Sequence, residues 1–331
     1  MIPRRLHRVS AAVGAVALLS LTACGAGDAV PEPDGTETVD RVEPIADDPA
    51  QSLPVVVTDA TGAEFTIAST EAIVPLSGSL SEIVFSLGLG DNVVARDVTA
   101  TFEQAADLPV VSHGHDVSAE GVLSLQPDLV LAETSSGPPT ALDQIEAAGV
   151  PVLVFEPADG IDSVSERIDA VASALGLEDV GADLIERTEA DIEAALEGVD
   201  TGERPRVAFL YLRGSASVYM IGGSESGATS LIEAAGGIDA GAEALEGDFI
   251  ELTPEALAAA SPEVILVMDK GLRSVGGLEG LLELPGVAQT PAGRDERVAH
   301  LPDGIMLNYG PRTGEVVAAL AAQLHPGGGA R

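Results

Sequence analysis

Twice along this chain short apolar runs alternate with stretches of helical periodicity, and between the two alternating sets lies a helical stretch with no strand signal. Alternation of this kind builds a parallel sheet flanked by helices. In the first set a small hairpin, Val55–Thr58 and Glu64–Ile67 around the Thr61-Gly62 turn, precedes Ile73–Pro75, a helix over Leu80–Leu87, Val93–Ala95, a helix over Ala119–Leu125, Leu129–Ala132, a helix over Thr140–Ala148 and Val152–Phe155. From Ile161 to Val199 the pattern is helical with a break near Gly176, and Val180, Leu184, Thr188, Ile192 and Leu196 recur at helical spacing. The second set comprises Val207–Leu212, helices over Ser230–Ala235 and Pro254–Ala260, Val264–Met268, a helix over Leu278–Leu282, Val298–His300 and a last helix over Gly314–Leu324. The spacing predicts an α/β fold of two α/β lobes joined by a single long helix: a first lobe over residues 54–159, a connecting helical segment over 160–203 and a second lobe over 204–325.

An internal echo supports two related lobes. Ser118-Ala119-Glu120-Gly121-Val122-Leu123 followed by Pro127-Asp128-Leu129-Val130-Leu131 matches Thr253-Pro254-Glu255-Ala256-Leu257-Ala258 followed by Pro262-Glu263-Val264-Ile265-Leu266. Both copies open with an N-capping hydroxyl and a first-turn glutamate that the helix dipole favours. Each helix then ends at a Pro-acid turn that leads into a buried strand.

The N-terminus carries Arg4, Arg5, His7 and Arg8, then an apolar run from Ala11 to Leu21, the anatomy of a secretory signal. That run is about half of the ~20 residues a membrane-spanning helix needs. Leu21-Thr22-Ala23-Cys24-Gly25 resembles the lipobox of bacterial lipoproteins, which implies cleavage of residues 1–23 and lipid attachment at Cys24. Residues 24–53 then read as a disordered acidic tether. Charge excludes one class of partner: 53 acidic against 16 basic residues give a formal net charge of −37, which repels a nucleic-acid backbone. Aromatics at 3%, with no Trp, argue against a surface of stacked bases. One cysteine makes no internal disulfide. Neither a Gly-x-Ser-x-Gly elbow nor a His-Glu-x-x-His helix is present, so an enzyme is not expected.

Several phrases carry a family resemblance: Gly78-Ser79-Leu80-Ser81-Glu82-Ile83-Val84 with Leu87-Gly88, Leu125-x-Pro127-Asp128-Leu129-Val130, Ala147-x-Gly149-Val150-Pro151-Val152 and Ala234-Ala235-Gly236-Gly237. With the lipobox cysteine and two lobes on one long helix, the chain resembles the solute-binding proteins of ABC importers for cobalamin, ferric siderophores and haem. The resemblance implies a ligand cleft between the lobes, an extracytoplasmic protein held to the membrane by lipid, a monomer, and a cognate ABC permease and ATPase as partners.

Two stretches fall where such a cleft presents ligands. Pro109-Val110-Val111-Ser112-His113-Gly114-His115-Asp116 ends a strand in a glycine-containing loop, and Val207–Gly214 places Tyr211 and Arg213 on one face of a strand. Together they resemble the haem-binding branch of this class in Gram-positive actinobacteria, which implies that His115 and Tyr211 are the axial ligands of a haem iron, with haem b as cargo rather than catalytic cofactor. Both residue types ligate haem iron. A phenolate suits a ferric centre, with Arg213 beside it or paired with a haem propionate. His113 is the rival of His115, and the acidic Asp116 after His115 favours the latter. Met268 resembles a pocket methionine, ordinary core packing being its alternative, and Tyr309 in Asn308-Tyr309-Gly310 could line the cleft. Gly222–Gly227 could form an anion nest, with a plain polar turn as the favoured reading. Glu120 and Glu255, at equivalent first-turn positions, are the expected permease contacts, and Glu82 competes with Glu120. A ferric-siderophore or corrinoid binder of the same importer class is the alternative function.

Overall fold

The computed structural model describes residues 40–199 and 202–327. The first lobe runs β1 (Val55–Thr58), β2 (Glu64–Ile67), β3 (Ile73–Pro75), α1 (Gly78–Ser86), β4 (Arg96–Asp97), β5 (Val110–Ser112), α2 (Ala119–Ser124), β6 (Leu129–Glu133), α3 (Pro139–Ala147) and β7 (Val152–Phe155). Two helices follow, α4 (Val164–Ala174) and α5 (Glu178–Glu197). The second lobe runs β8 (Arg206–Arg213), β9 (Val218–Gly222), α6 (Ala228–Ala234), β10 (Ile238–Asp239), α7 (Ala240–Ala244), β11 (Phe249–Glu251), α8 (Pro254–Ala260), β12 (Val264–Met268), α9 (Asp269–Ser274), α10 (Gly277–Glu283), α11 (Pro291–Arg294), β13 (Val298–Leu301) and α12 (Thr313–Leu324).

Each lobe is built around one apolar strand delivered by the echoed motif. In the first, β6 lies between β3 and β7, all parallel. In the second, β12 lies between β8 and β13, again parallel. The Ser118 hydroxyl accepts the Gly121 N–H at 3.1 Å and the Thr253 hydroxyl accepts the Ala256 N–H at 3.1 Å, so each motif helix starts on a satisfied donor. Both helices stop just before left-handed residues at their proline turns, Gln126 (φ 54°) and Ser261 (φ 45°). All five side chains of β12 are buried, which is why it reads as an unbroken apolar run.

The second sheet departs from the all-parallel expectation: β9 pairs antiparallel with β8, and β11 antiparallel with β9. The strand expected at Val93–Ala95 is also displaced, to Arg96–Asp97, where it pairs with β5. The break anticipated near Gly176 is real. Gly176 has φ +66°, and a Cβ there would meet the Ser52 backbone at 2.9 Å, so the chain turns sharply between α4 and the long helix α5.

Residues 40–53, expected to belong to a disordered tether, are instead held against the folded unit. Val42 is 1% exposed, its N–H donates to the Gln104 side chain at 3.1 Å, Ile45 N–H donates to Ser86 O at 2.7 Å and Ser52 N–H to Gly176 O at 2.8 Å. Residues 40–53 therefore pack on the folded unit. Their few apolar side chains, Val42, Ile45 and Leu53, join its core, which a reading averaged over the acidic segment could not detect. Cys24 and the proposed signal lie outside the described residues. Among the described residues no helix is long and apolar enough to cross a membrane.

Candidate ligand site in the cleft between the lobes

Strand β8 presents the tyrosine. Its inner residues, Val207 to Leu210, are buried, whereas Tyr211 and Arg213 near its end are half-buried on one face. The Tyr211 ring packs on Phe249 at a centroid distance of 5.5 Å, and Phe249 packs on Phe209 at 5.7 Å, so an aromatic row from the core supports it. The Arg213 guanidinium lies over the Tyr211 ring, 4.5 Å from its centroid, a cation–π contact. Arg213 Nη1 also donates to Leu212 O at 3.0 Å.

The loop after β5 presents the histidine. Buried Asp97 fixes this loop: its Oδ2 accepts the Gly114 N–H at 2.8 Å and its Oδ1 accepts the Thr99 N–H at 2.8 Å. Gly114 adopts φ +69°, a conformation glycine reaches at no steric cost. His115 Nδ1 lies 2.6 Å from Ser135 O. A carbonyl only accepts, so Nδ1 carries the proton and the Nε2 lone pair is left for a metal. The exposed His113 contributes its backbone N–H to Asp116 O at 3.0 Å, and no such bond orients its ring among the described residues.

One loop of the second lobe, residues 302–309, meets both halves of the site. Asp303 faces Arg213 with 3.7 Å between Oδ1 and Nη1. Farther along, Leu307 and Asn308 line a cavity of about 190 Å³ with His115, Ser77, Ser79 and Glu133. The Ser79 hydroxyl donates to Asn308 O at 2.8 Å across the lobes. The same loop therefore touches Arg213 through Asp303 and the His115 cavity through Leu307 and Asn308. A cavity of that size encloses only part of a large planar ligand, since drug-sized sites run to ~300–1,000 Å³. A larger cavity of about 830 Å³ lies against α4, lined by Val57, Phe155, Glu156, Asp159 and Arg167 among others. Neither the histidine nor the tyrosine reaches it.

The other expected residues divide. Met268 sits at the end of β12, 8% exposed, in the core cluster that Tyr211 packs against. Tyr309 is not a cleft side chain. It is 4% exposed, its hydroxyl donates to Gly227 O, and burial pushes its pKa up to about 12; the left-handed turn at φ 45° is part of this inward placement. Gly222–Gly227 is a turn rather than a nest, because the Gly223, Ser224 and Glu225 amides are spent on the carbonyls of Asp248, Leu245 and Gly247. Glu120 and Glu255 are exposed at the starts of α2 and α8. Glu82 is no rival to Glu120: it is 1% exposed and bound to Arg312 Nη2 at 3.0 Å. Sequence reasoning missed Asp97, Ser135 and Asp303, because each acts on a residue distant in the chain.

Two α/β lobes joined through the helical segment of α4 and α5 define a bilobal binding-protein fold. The chain belongs to the periplasmic binding protein family, which matches residues 73–304. This is a family of substrate-binding proteins of ABC transporters rather than of enzymes. An uncharacterized ABC transporter substrate-binding lipoprotein of Bacillus subtilis (strain 168), YvrC, is 26% identical over 292 residues, 87% of this chain and 90% of its own. The crystal structure of the heme binding protein HmuT superposes with a TM-score of 0.83 at 39% identity, covering 87% of this chain and 96% of that one. HmuT has also been solved with a histidine, a tyrosine or an arginine replaced by alanine, the last two being two positions apart. The apo periplasmic heme-binding protein RhuT of Roseiflexus sp. RS-1 gives a TM-score of 0.75 at 42% identity, covering 78% of this chain and 100% of that one. A vitamin B12-binding protein of Vibrio campbellii is 27% identical over 173 residues, 52% of this chain and 61% of its own.

Proposed function

We propose that this protein captures haem outside the cytoplasm and delivers it to an ABC permease, with His115 and Tyr211 as axial ligands from opposite lobes. The reading is carried by a histidine of the first lobe held with Nε2 free and a tyrosine of the second stacked under an arginine, with the 302–309 loop touching the surroundings of both. The Tyr211-x-Arg213 spacing equals that of the tyrosine and arginine replaced in HmuT. Iron held by one ligand per lobe cross-braces the cleft and retains haem without a covalent link. Met268 then packs beneath the site, while His113 stands by as the weaker ligand.

Haemin titration tests this. Haemin should give a shifted Soret band, and His115→Ala or Tyr211→Ala should each weaken binding by about tenfold or more, ~1.4 kcal/mol per decade. A complex indifferent to both substitutions sinks the assignment. The vitamin B12-binding relative favours a corrinoid as second reading, and displacement of haemin by cyanocobalamin would support it.

Delivery needs a docking face. Exposed Glu120 and Glu255, one per lobe, are placed to pair with permease cations, and Cys24 to carry the lipid that holds a monomeric binder near its permease and ATPase. Charge reversal of both glutamates should abolish uptake in reconstituted vesicles while leaving haemin binding intact; unchanged uptake rejects this face.

A further inference from the structure

Asp303 occupies an uncommon position for a carboxylate. Its side chain is 8% exposed, Oδ2 accepts the Lys270 N–H at the start of α9 at 2.7 Å, and Oδ1 has no hydrogen-bond partner among the described residues. That oxygen faces Arg213 Nη1 at 3.7 Å, within ion-pair reach but beyond hydrogen-bond length. Burying a carboxylate is costly unless a cation compensates it, so the backbone clamp from Lys270 fixes one oxygen and Arg213 answers the charge of the other. Arg213 in turn has two further holds, the Leu212 carbonyl and the face of the Tyr211 ring. Its long side chain would otherwise be free to follow any anion that enters the cleft.

We infer that Asp303 is a positioning residue: it holds the Arg213 guanidinium over the Tyr211 ring and thereby fixes how the Tyr211 hydroxyl is presented to the ligand. The resting place of Arg213 is then the tyrosine face, not the carboxylates of an incoming ligand. This rests on the haem reading only in taking Tyr211 as the iron ligand.

The test uses full-length protein carrying ring-13C tyrosine. There are three tyrosines, and the Tyr211 signal is the one lost in Tyr211→Phe. In ligand-free protein Asp303→Asn should move the Tyr211 ring signal and leave those of Tyr219 and Tyr309 in place. In the haemin complex it should weaken the phenolate-to-iron charge-transfer band and speed haem release by about tenfold. Both effects should vanish in an Arg213→Ala background. A Tyr211 signal unmoved by Asp303→Asn, or moved equally without Arg213, overturns the inference. If Asp303→Asn does not fold, Asp303→Glu serves, since it keeps the charge but displaces the carboxylate from Arg213 Nη1 by one methylene; an unmoved Tyr211 ring signal there overturns it equally. A signal that moves in a protein giving no Soret shift with haemin would refute the haem reading and leave the positioning role standing.

Discussion

Arg312 is the residue on which the join between the lobes turns. It precedes α12 in the second lobe, binds Glu82 of α1 in the first, and also pairs with Asp40 from the packed N-terminal segment. Burial works against its charge, but Glu82 and then Asp40 outweigh that and hold its pKa above the ordinary arginine value. Breaking a buried pair from one side leaves an uncompensated charge. Arg312→Ala should therefore cost about 3–5 kcal/mol of stability by urea unfolding, and a loss under 1 kcal/mol would show that water replaces the guanidinium. None of this was legible in the sequence, where Glu82 looked like an exposed rival to Glu120, because its partner lies 230 residues away. Tyr211 and Arg213 were legible because strand geometry alone puts alternate residues on one face. The loop histidines were legible as a pair. What separates them, the carbonyl of Ser135, belongs to another element.

At the level of elements, the long helix α5 is held by close packing against α12. A Cβ on Gly314 would lie 2.6 Å from the Asp191 backbone, so the two helices touch main chain to main chain there. Alanine is the better helix former by about 1 kcal/mol, which makes Gly314→Ala a contest between propensity and space. Overpacking of this kind costs about 1–3 kcal/mol; since the obstacle is backbone rather than a movable side chain, the variant should be destabilised, read as a lowered urea midpoint with unchanged slope. A neutral or stabilised variant would mean the helices can part. The apolar stripe of α5 showed in the sequence in part: Leu184, Thr188 and Ile192 are buried, Val180 is half-buried, and Leu196, 44% exposed, lies off the packed face. The antiparallel strands did not show. β9 is an apolar run, Val218-Tyr219-Met220-Ile221, closed by Gly222, but it follows β8 with no long helix between them, so a reading built on alternating strands and helices passes over it.

For the whole molecule, the acidic excess and the buried acids push stability the same way with pH. Burial raises the pKa of Asp239, against hydrogen bonds from Ala242 and Thr229 that lower it, and burial likewise raises those of Glu315 and Asp248. A carboxyl whose folded pKa exceeds its unfolded value binds more protons when folded in the window between the two. Its stabilising contribution is full below the unfolded value, 3.8 for Asp239, and is lost as pH rises through the folded one. Self-repulsion at a net charge of −37 grows in the same direction and is screened by salt. Thermal unfolding at low ionic strength should therefore show a midpoint that falls as pH rises from the unfolded value, 3.8 for Asp239, through the folded one, and added salt should lessen the fall. Asp239→Asn keeps an acceptor for the Ala242 N–H, which now lies 3.0 Å from Oδ1, and removes one titrating group, so its midpoint should fall less over the same rise. A midpoint unchanged over that rise, at low salt, would mean that these carboxyls titrate no higher folded than unfolded and that the repulsion is absorbed at the surface.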